Sequence, residues 1–440
     1  MRSSSSEREV PGAAWQWDGE DGGDAGGALG DVVGGGGDGP RMSRRGLLVG
    51  AGVLAAGGAV WAFGRSREER PAPRPAPPAP VAVSGPTPVW TYRGPEAMTP
   101  ERLTTRPNRP LYVTSAGLQL LDPATGSPTR LLRLAPPERQ FGDDATAARV
   151  VISGDRVFTT SQGHIDGRHL ADPAADLTVA LPEAVTDDVV LAGCDGTALY
   201  GTAYALPTRN DKVPAQKAFA VRITDSTLLW SSPADLGERL LAPSTGPTGP
   251  TGTIASVRTR EGRTELVVRD AATGRQRWTA PGNENLRWCA IGQRAVHVPD
   301  GTGGLRALDL ATGAELWTLP PARGENWRAM PPLTAGAAVF LPRDNGVVTA
   351  HTEAGPDALW SLRLPFLLDA RSHPMLVNDV LYVPGPAGGG VCAVDAATGR
   401  LLWTFRDSGP GKDVWSLAAD GNCLYAGHDD VLHALPLATV

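Results

Sequence analysis

The sequence predicts an all-β protein: an eight-bladed β-propeller of four-stranded antiparallel blades, closed by an N-terminal strand and preceded by one N-terminal membrane helix. Three observations predict it. An eleven-residue phrase recurs, tryptophans return every 39–48 residues between Trp230 and Trp403, and a phrase broken off at the C-terminus has its missing strand near residue 90. Self-similarity at a period of about 40–45 residues, with room for four short strands per period, is the mark of propeller blades.

The phrase runs Ala307-Leu-Asp309-Leu-Ala-Thr312-Gly313-Ala-Glu-Leu-Trp317, and returns as Ala393-Val-Asp395-Ala-Ala-Thr398-Gly399-Arg-Leu-Leu-Trp403. With one change it is also Val268-Arg-Asp270-Ala-Ala-Thr273-Gly274-Arg-Gln-Arg-Trp278. Each copy reads as a strand, a tight turn and a second strand carrying the Trp. Asp and Thr side chains bond the turn backbone, Gly permits positive φ, and alternation along each strand sets which side chains face inward.

Weaker copies extend the pattern. Leu120-Leu-Asp122-Pro-Ala-Thr125-Gly126 keeps the turn but has Arg130 in place of the Trp. Leu170-Ala-Asp172-Pro-Ala-Ala-Asp176 keeps only the Asp, with Ala180 at the Trp position. The stretches from Ala220 to Trp230 and from Ala350 to Trp360 keep both ends and lose the turn residues. Ala434-Leu-Pro-Leu-Ala-Thr439-Val440 starts an eighth phrase, and Pro88-Val-Trp90-Thr-Tyr92 supplies its outer strand. Pairing the two ends closes the ring and leaves no bare sheet edge. Residues 88–440 then hold eight blades of about 44 residues. They start near Leu103, Ala145, Asp187, Arg239, Leu286, Asn326, Asp369 and Asp413.

These phrases resemble the tryptophan-docking motif of the PQQ-like (quinoprotein-like) β-propeller family. The resemblance covers about four-fifths of the chain. It implies that each Trp stacks on the turn of its own motif and locks neighbouring blades together. The family holds enzymes, assembly scaffolds and sensor modules, so the fold alone does not assign a function.

Four segments are expected. Residues 1–42 hold a Gly-rich acidic tail with too little apolar surface to offset the entropy of ordering; Met42 is an alternative start. Residues 43–65 begin Ser43-Arg44-Arg45 and carry an uncharged run over 46–64, long enough to span a bilayer at 1.5 Å per residue. A retained transmembrane anchor and a twin-arginine export signal both fit, the first placing the C-terminal domain outside the cytoplasm on a single pass, the second allowing a secreted protein if cleaved. Residues 66–87 form a Pro-rich spacer, and 88–440 the propeller. This layout resembles the extracytoplasmic half of actinobacterial receptor-type Ser/Thr kinases, without the kinase motifs.

A net charge of −6 argues against nucleic acid as a partner. Quinoprotein dehydrogenases, as the resemblance implies, hold PQQ against a vicinal Cys pair, with Ca²⁺ and a carboxylate base nearby. Cys194, Cys289, Cys392 and Cys423 are far apart in sequence, so PQQ is disfavoured and no cofactor is expected. No His-Glu-x-x-His or Gly-x-Ser-x-Gly occurs, none of the seven His shows metal-ligand spacing, and neither catalytic nor metal-binding residues are assigned. Asp300-Gly-Thr-Gly-Gly and Asp344-Asn345-Gly346 read as hairpin turns.

One constellation stands out. The residues leading into the inner strands of four successive blades include Arg287 and Trp288, Trp327 and Arg328, Arg371 and His373, and Trp415 with Lys412. In a closed ring these positions converge on one axial mouth. An Arg/Trp rim suits an anionic ligand or a peptide, through stacking and paired hydrogen bonds. The expected protein is a monomeric, membrane-tethered, non-enzymatic sensor or scaffold whose partner is a protein or a small anionic ligand. A quinoprotein oxidoreductase and an envelope assembly scaffold are the alternatives.

Overall fold

Eight four-stranded antiparallel sheets follow one another around a ring in this computed structural model. It describes residues 84–440 except 96–102, 107–108, 115–116, 134–150, 154, 162–163, 182–186, 206–214, 236, 242–251, 284–285, 287, 301, 322–327 and 410. The expected tail, membrane segment and most of the spacer lie outside the described residues. Among the described residues, no helix is long and apolar enough to cross a membrane.

Blades I to VII occupy 103–132, 151–180, 187–234, 239–281, 290–319, 333–363 and 375–405. Blade VIII is split: three strands come from 416–436, and the outermost is Trp90–Arg93. Trp90 stands opposite Ala434 and Arg93 opposite Val431, so the N-terminal strand closes the ring as the broken phrase predicts. Leu103, Asp187 and Arg239 open their blades as expected, and Leu286, Asp369 and Asp413 fall a few residues ahead of the first strand. The expected starts at Ala145 and Asn326 lie outside the described residues. Ser84 bridges Thr404 of blade VII, so the last spacer residues already lie on the propeller.

The recurring turn forms as its residues dictate. Asp309 accepts from the N–H groups of Ala311 and Thr312 and from the Thr312 hydroxyl, at 2.8–3.1 Å. Gly313 takes φ 73°, and a Cβ there would lie 2.7 Å from the Trp278 ring. Glycine is needed twice over, for its backbone conformation and for the close approach of the indole.

That contact corrects one expectation. Trp230, Trp278, Trp317 and Trp360 dock on the turn of the following blade and not on their own. Trp230 donates to Ala271 O, Trp278 to Leu310 O, Trp317 to Glu353 O and Trp360 to Ala396 O, at 2.7–3.0 Å. Within a blade the Trp pairs alongside its own third strand, Ala307 with Trp317 for example. Its side chain therefore leaves the sheet face toward the neighbour and cannot fold back to its own turn. Arg130, at a Trp position, reaches the same kind of acceptor: its guanidinium donates to Leu170 O at 3.0 Å.

A second correction concerns the most degenerate copy. Gly167 pairs with Leu177, which makes Leu177 and not Ala180 the residue at the Trp position. Asp172 instead caps a short 3₁₀ turn, accepting from Ala174 N–H. The Gly167–Leu177 spacing equals that of Ala307 and Trp317, so His169, three residues before Asp172, stands where the turn aspartate would.

The core lies between blades. Residues alternating along the strands bury Ala255, Leu266, Val268 and Trp278 of blade IV with Ile291, Val296 and Val298 of blade V in one cluster. Blades VI and VII share another around Phe340, Val348, Leu381 and Val383. Phe340, Tyr382 and Tyr425 are wholly buried at equivalent second-strand positions.

Candidate binding rim and a buried His–Asp cluster

The innermost strands abut around the axis, and the residues leading into them share one face. The strands around Val296, Val339, Leu381 and Leu424 are the second strands of their blades. The rim residues nevertheless precede the innermost ones. Arg287 and Trp327 lie outside the described residues. Trp288 is half-buried just before the strand Ala290–Ile291.

Arg371 and His373 come together, with the Arg371 carbonyl 2.7 Å from His373 Nδ1. Arg371 is paired with Asp369 at 3.0 Å and reaches Asp413 of the next blade at 3.7 Å, which shows that successive lead-in segments do converge. This guanidinium is therefore already compensated by carboxylates, and it holds the Asp369 carboxyl below the usual range. Arg328 differs. Its backbone is clamped to Asp344, which accepts from Arg328 N–H at 2.9 Å and donates its own N–H to Arg328 O at 3.0 Å. Its side chain is exposed, and among the described residues the guanidinium has no hydrogen-bond or ion-pair partner. Asp344 performs this clamp from a hairpin between Ala338–Pro342 and Val347–Thr352, as the sequence predicts, and Asp300 closes the equivalent hairpin of blade V.

Trp415 is not a rim residue. It is fully buried, its indole donates to Ala387 O at 2.9 Å, and it packs on His428 and His433 with centroids 4.2 and 5.9 Å away. A ring inserted between blades VII and VIII removes more apolar surface from water than one lying on the mouth.

Behind Trp415 lies a cluster that sequence reasoning missed. Asp407 Oδ2 stands 2.8 Å from His428 Nε2 and 3.3 Å from His433 Nε2. Asp407 follows the outer strand of blade VII; the two histidines belong to the second and third strands of blade VIII. Each ligand-type side chain is held from behind. Gly409 N–H donates to Asp407 Oδ1, His428 Nδ1 faces Asp429 Oδ2, and His433 Nδ1 faces the Thr91 hydroxyl, at 2.8–3.1 Å. Burial works to raise the Asp407 carboxyl, but the His428 and His433 contacts outweigh it and hold the group low. Burial lowers His433, only partly opposed by Asp407. A signal was present in the chain: Asp429 and Asp430 make a two-residue hairpin, which puts His428 and His433 on one sheet face. The third member could not be read, because it crosses a blade seam.

Residues 301–437 match the family model described as "Outer membrane protein assembly factor BamB". Over those residues the chain is similar to the PQQ-like propeller family. The domain as a whole is an eight-bladed β-propeller. The computationally designed Ika8 protein is similar in fold, with a TM-score of 0.58 and 14% identity over 80% of this chain and 99% of that one. BamB from Moraxella catarrhalis matches with a TM-score of 0.45 and 18% identity, over 71% of this chain and 91% of its own. No curated protein matches the chain.

The propeller does not fit PQQ through a cysteine pair. Its four thiols are free and lie in blades III, V, VII and VIII or their lead-in segments. Cys392 is packed in the core with its thiol pushed up to about 12 by burial, which suits a small apolar side chain. A cavity of about 920 Å³ opens on the opposite face of the propeller, between Phe340, Leu376, Asp379 and the C-terminal Leu437–Val440 stretch.

Proposed function

We propose that this PQQ-like propeller is a non-enzymatic binding module, tethered to a membrane and held outside the cytoplasm, that docks an acidic partner on its lead-in face. Arg328 carries this reading: a solvent-facing guanidinium on a backbone clamped by Asp344, with no carboxylate partner among the described residues. A fixed backbone confines the ordering cost of binding to the side chain itself. Arg371 and His373 extend the surface toward blade VIII. The uncharged run over 46–64 and the proline spacer after it support the tether. The match to an assembly-factor family favours a scaffold role over a small-molecule sensor.

Cross-linking in cells, with wild type and Arg328→Glu compared, tests the reading. A partner held about 30-fold less tightly, or lost, at an unchanged melting temperature is the expected outcome, equivalent to about 2 kcal/mol. Identical partner sets would remove the rim from consideration. A reporter fused after Val440 that is active only in the cytoplasm would overturn the topology.

A further inference from the structure

We propose that Asp407, His428 and His433 form a binding site for a divalent first-row transition metal, with Zn²⁺ as its probe, at the seam where blade VIII closes against blade VII.

The ligand atoms are of the right kind and already converge. One donor atom from each of Asp407, His428 and His433 lies within 4.8 Å of the other two. Bonds of about 2.0–2.1 Å in a tetrahedron place ligands roughly 3.3 Å apart, so the Asp407–His433 spacing fits as it stands and the His428 spacing needs to open by about half an ångström. Two imidazoles and a carboxylate suit Zn²⁺ and its neighbours in the first row, and are a poor set for Ca²⁺ or Mg²⁺, which take oxygen.

The outer partners make the case stronger than convergence alone. Asp429 Oδ2 can only accept, so His428 Nδ1 is the donor in that 2.8 Å contact. In a neutral ring, Nε2 then presents a lone pair to the lone pairs of Asp407 Oδ2, 2.8 Å away. A positive charge has to sit between them, either a proton or a metal ion. Carboxylate behind imidazole is the arrangement that orients a metal-bound histidine and raises its basicity. Thr91 does the same for His433, and Gly409 N–H holds the far oxygen of Asp407. One ion would be neutralised by Asp407 and Asp429 together.

The surroundings also suit an ion. Trp415 and Phe405 wall the site on one side, with the Phe405 ring 5.2 Å from His433. On the other side the chain passes as Gly409 and Gly411, and a Cβ at Gly411 would collide with the His428 ring and Asp429. Asp407 keeps 16% of its side chain exposed, which leaves a path for an ion and a place for a water as fourth ligand. The site would join three separate parts of the chain: the end of blade VII, the hairpin of blade VIII and, through Thr91, the closing strand. Bound metal would therefore fasten the ring where its two ends meet.

The test uses the full, tag-free chain, stripped with a chelator and titrated with Zn²⁺ in competition with a chromophoric chelator. One equivalent bound with a Kd below about 1 μM is expected, together with a rise in melting temperature. Co²⁺ in place of Zn²⁺ should give visible d–d absorption. Asp407→Asn with His433→Asn should abolish both. Asp429→Asn, which removes no ligand, should weaken binding by about 10–100-fold. Failure of the wild-type chain to take up one equivalent overturns the site, whatever the variants do. Equal uptake by a folded double variant overturns it as well, and so does unchanged affinity in Asp429→Asn.

Discussion

Trp90 donates its indole N–H to the carbonyl of Pro123 across 2.8 Å, and its ring lies against Gly126. Trp90 belongs to the outer strand of the last blade and Pro123 to the turn of the first. The clasp that joins blades III to IV, IV to V, V to VI and VI to VII thus also joins the two ends of the ring, and the strand carrying it comes from the beginning of the chain. Tyr425 packs beneath it, 5.7 Å between centroids.

Trp90→Ala should cost about 3–5 kcal/mol, as for other buried aromatic truncations. Chemical denaturation of the variant measures this. Removal of residues 1–83 should leave the midpoint almost unchanged, because, among the described residues, the first bonded to the propeller is Ser84. A Trp90 variant as stable as wild type would mean that the ring does not depend on this closure.

The turn aspartates predict a loss of stability in acid. Thr312 and Thr398 hydroxyls bond Asp309 and Asp395, Arg277 bonds Asp270, and all three carboxyls are held below the ordinary range. A carboxyl depressed in the folded state contributes stability above its unfolded pKa, near 4, and loses it as pH falls through the folded value. The melting temperature should drop below about pH 4. Asp395→Ala should cost about 2 kcal/mol at pH 7, from the lost bonds to the Ala397 and Thr398 amides and the Thr398 hydroxyl. A triple Asn variant at 270, 309 and 395 should lie below wild type at pH 7 and converge with it near pH 3. Parallel pH curves would show that the shifts carry no stability.

Glu238 and Arg269 make a buried ion pair at 2.8 Å, with Ser256 Oγ also donating to Glu238 at 2.6 Å. Both side chains are almost wholly removed from solvent. Removing one partner leaves an unpaired buried charge, so Arg269→Met should cost about 3–5 kcal/mol. Glu238→Leu with Arg269→Met should recover most of it. A double-mutant cycle by urea denaturation measures the coupling, and a single variant no worse than the double would refute it.

The repeat alone determined the blade count, the ring closure and the turn chemistry, because each depends on residues within one phrase or on the spacing between phrases. Asp309, Thr312 and Gly313 act within five residues of one another, and local geometry follows from local sequence. The tertiary structure decided what lies across the seams. The Trp acceptor is in the next blade, a distance no single phrase encodes. Leu177 takes a Trp position because the pairing register puts His169, and not Asp172, at the place of the turn aspartate. Trp415 reads as a rim residue by position, yet it is core, because burial depends on what the neighbouring blade brings to it. Arg371 and Arg328 look alike in sequence, and only the carboxylates around Arg371 distinguish them. The meeting of Asp407 with His428 and His433 joins residues from two blades that touch only because the ring closes.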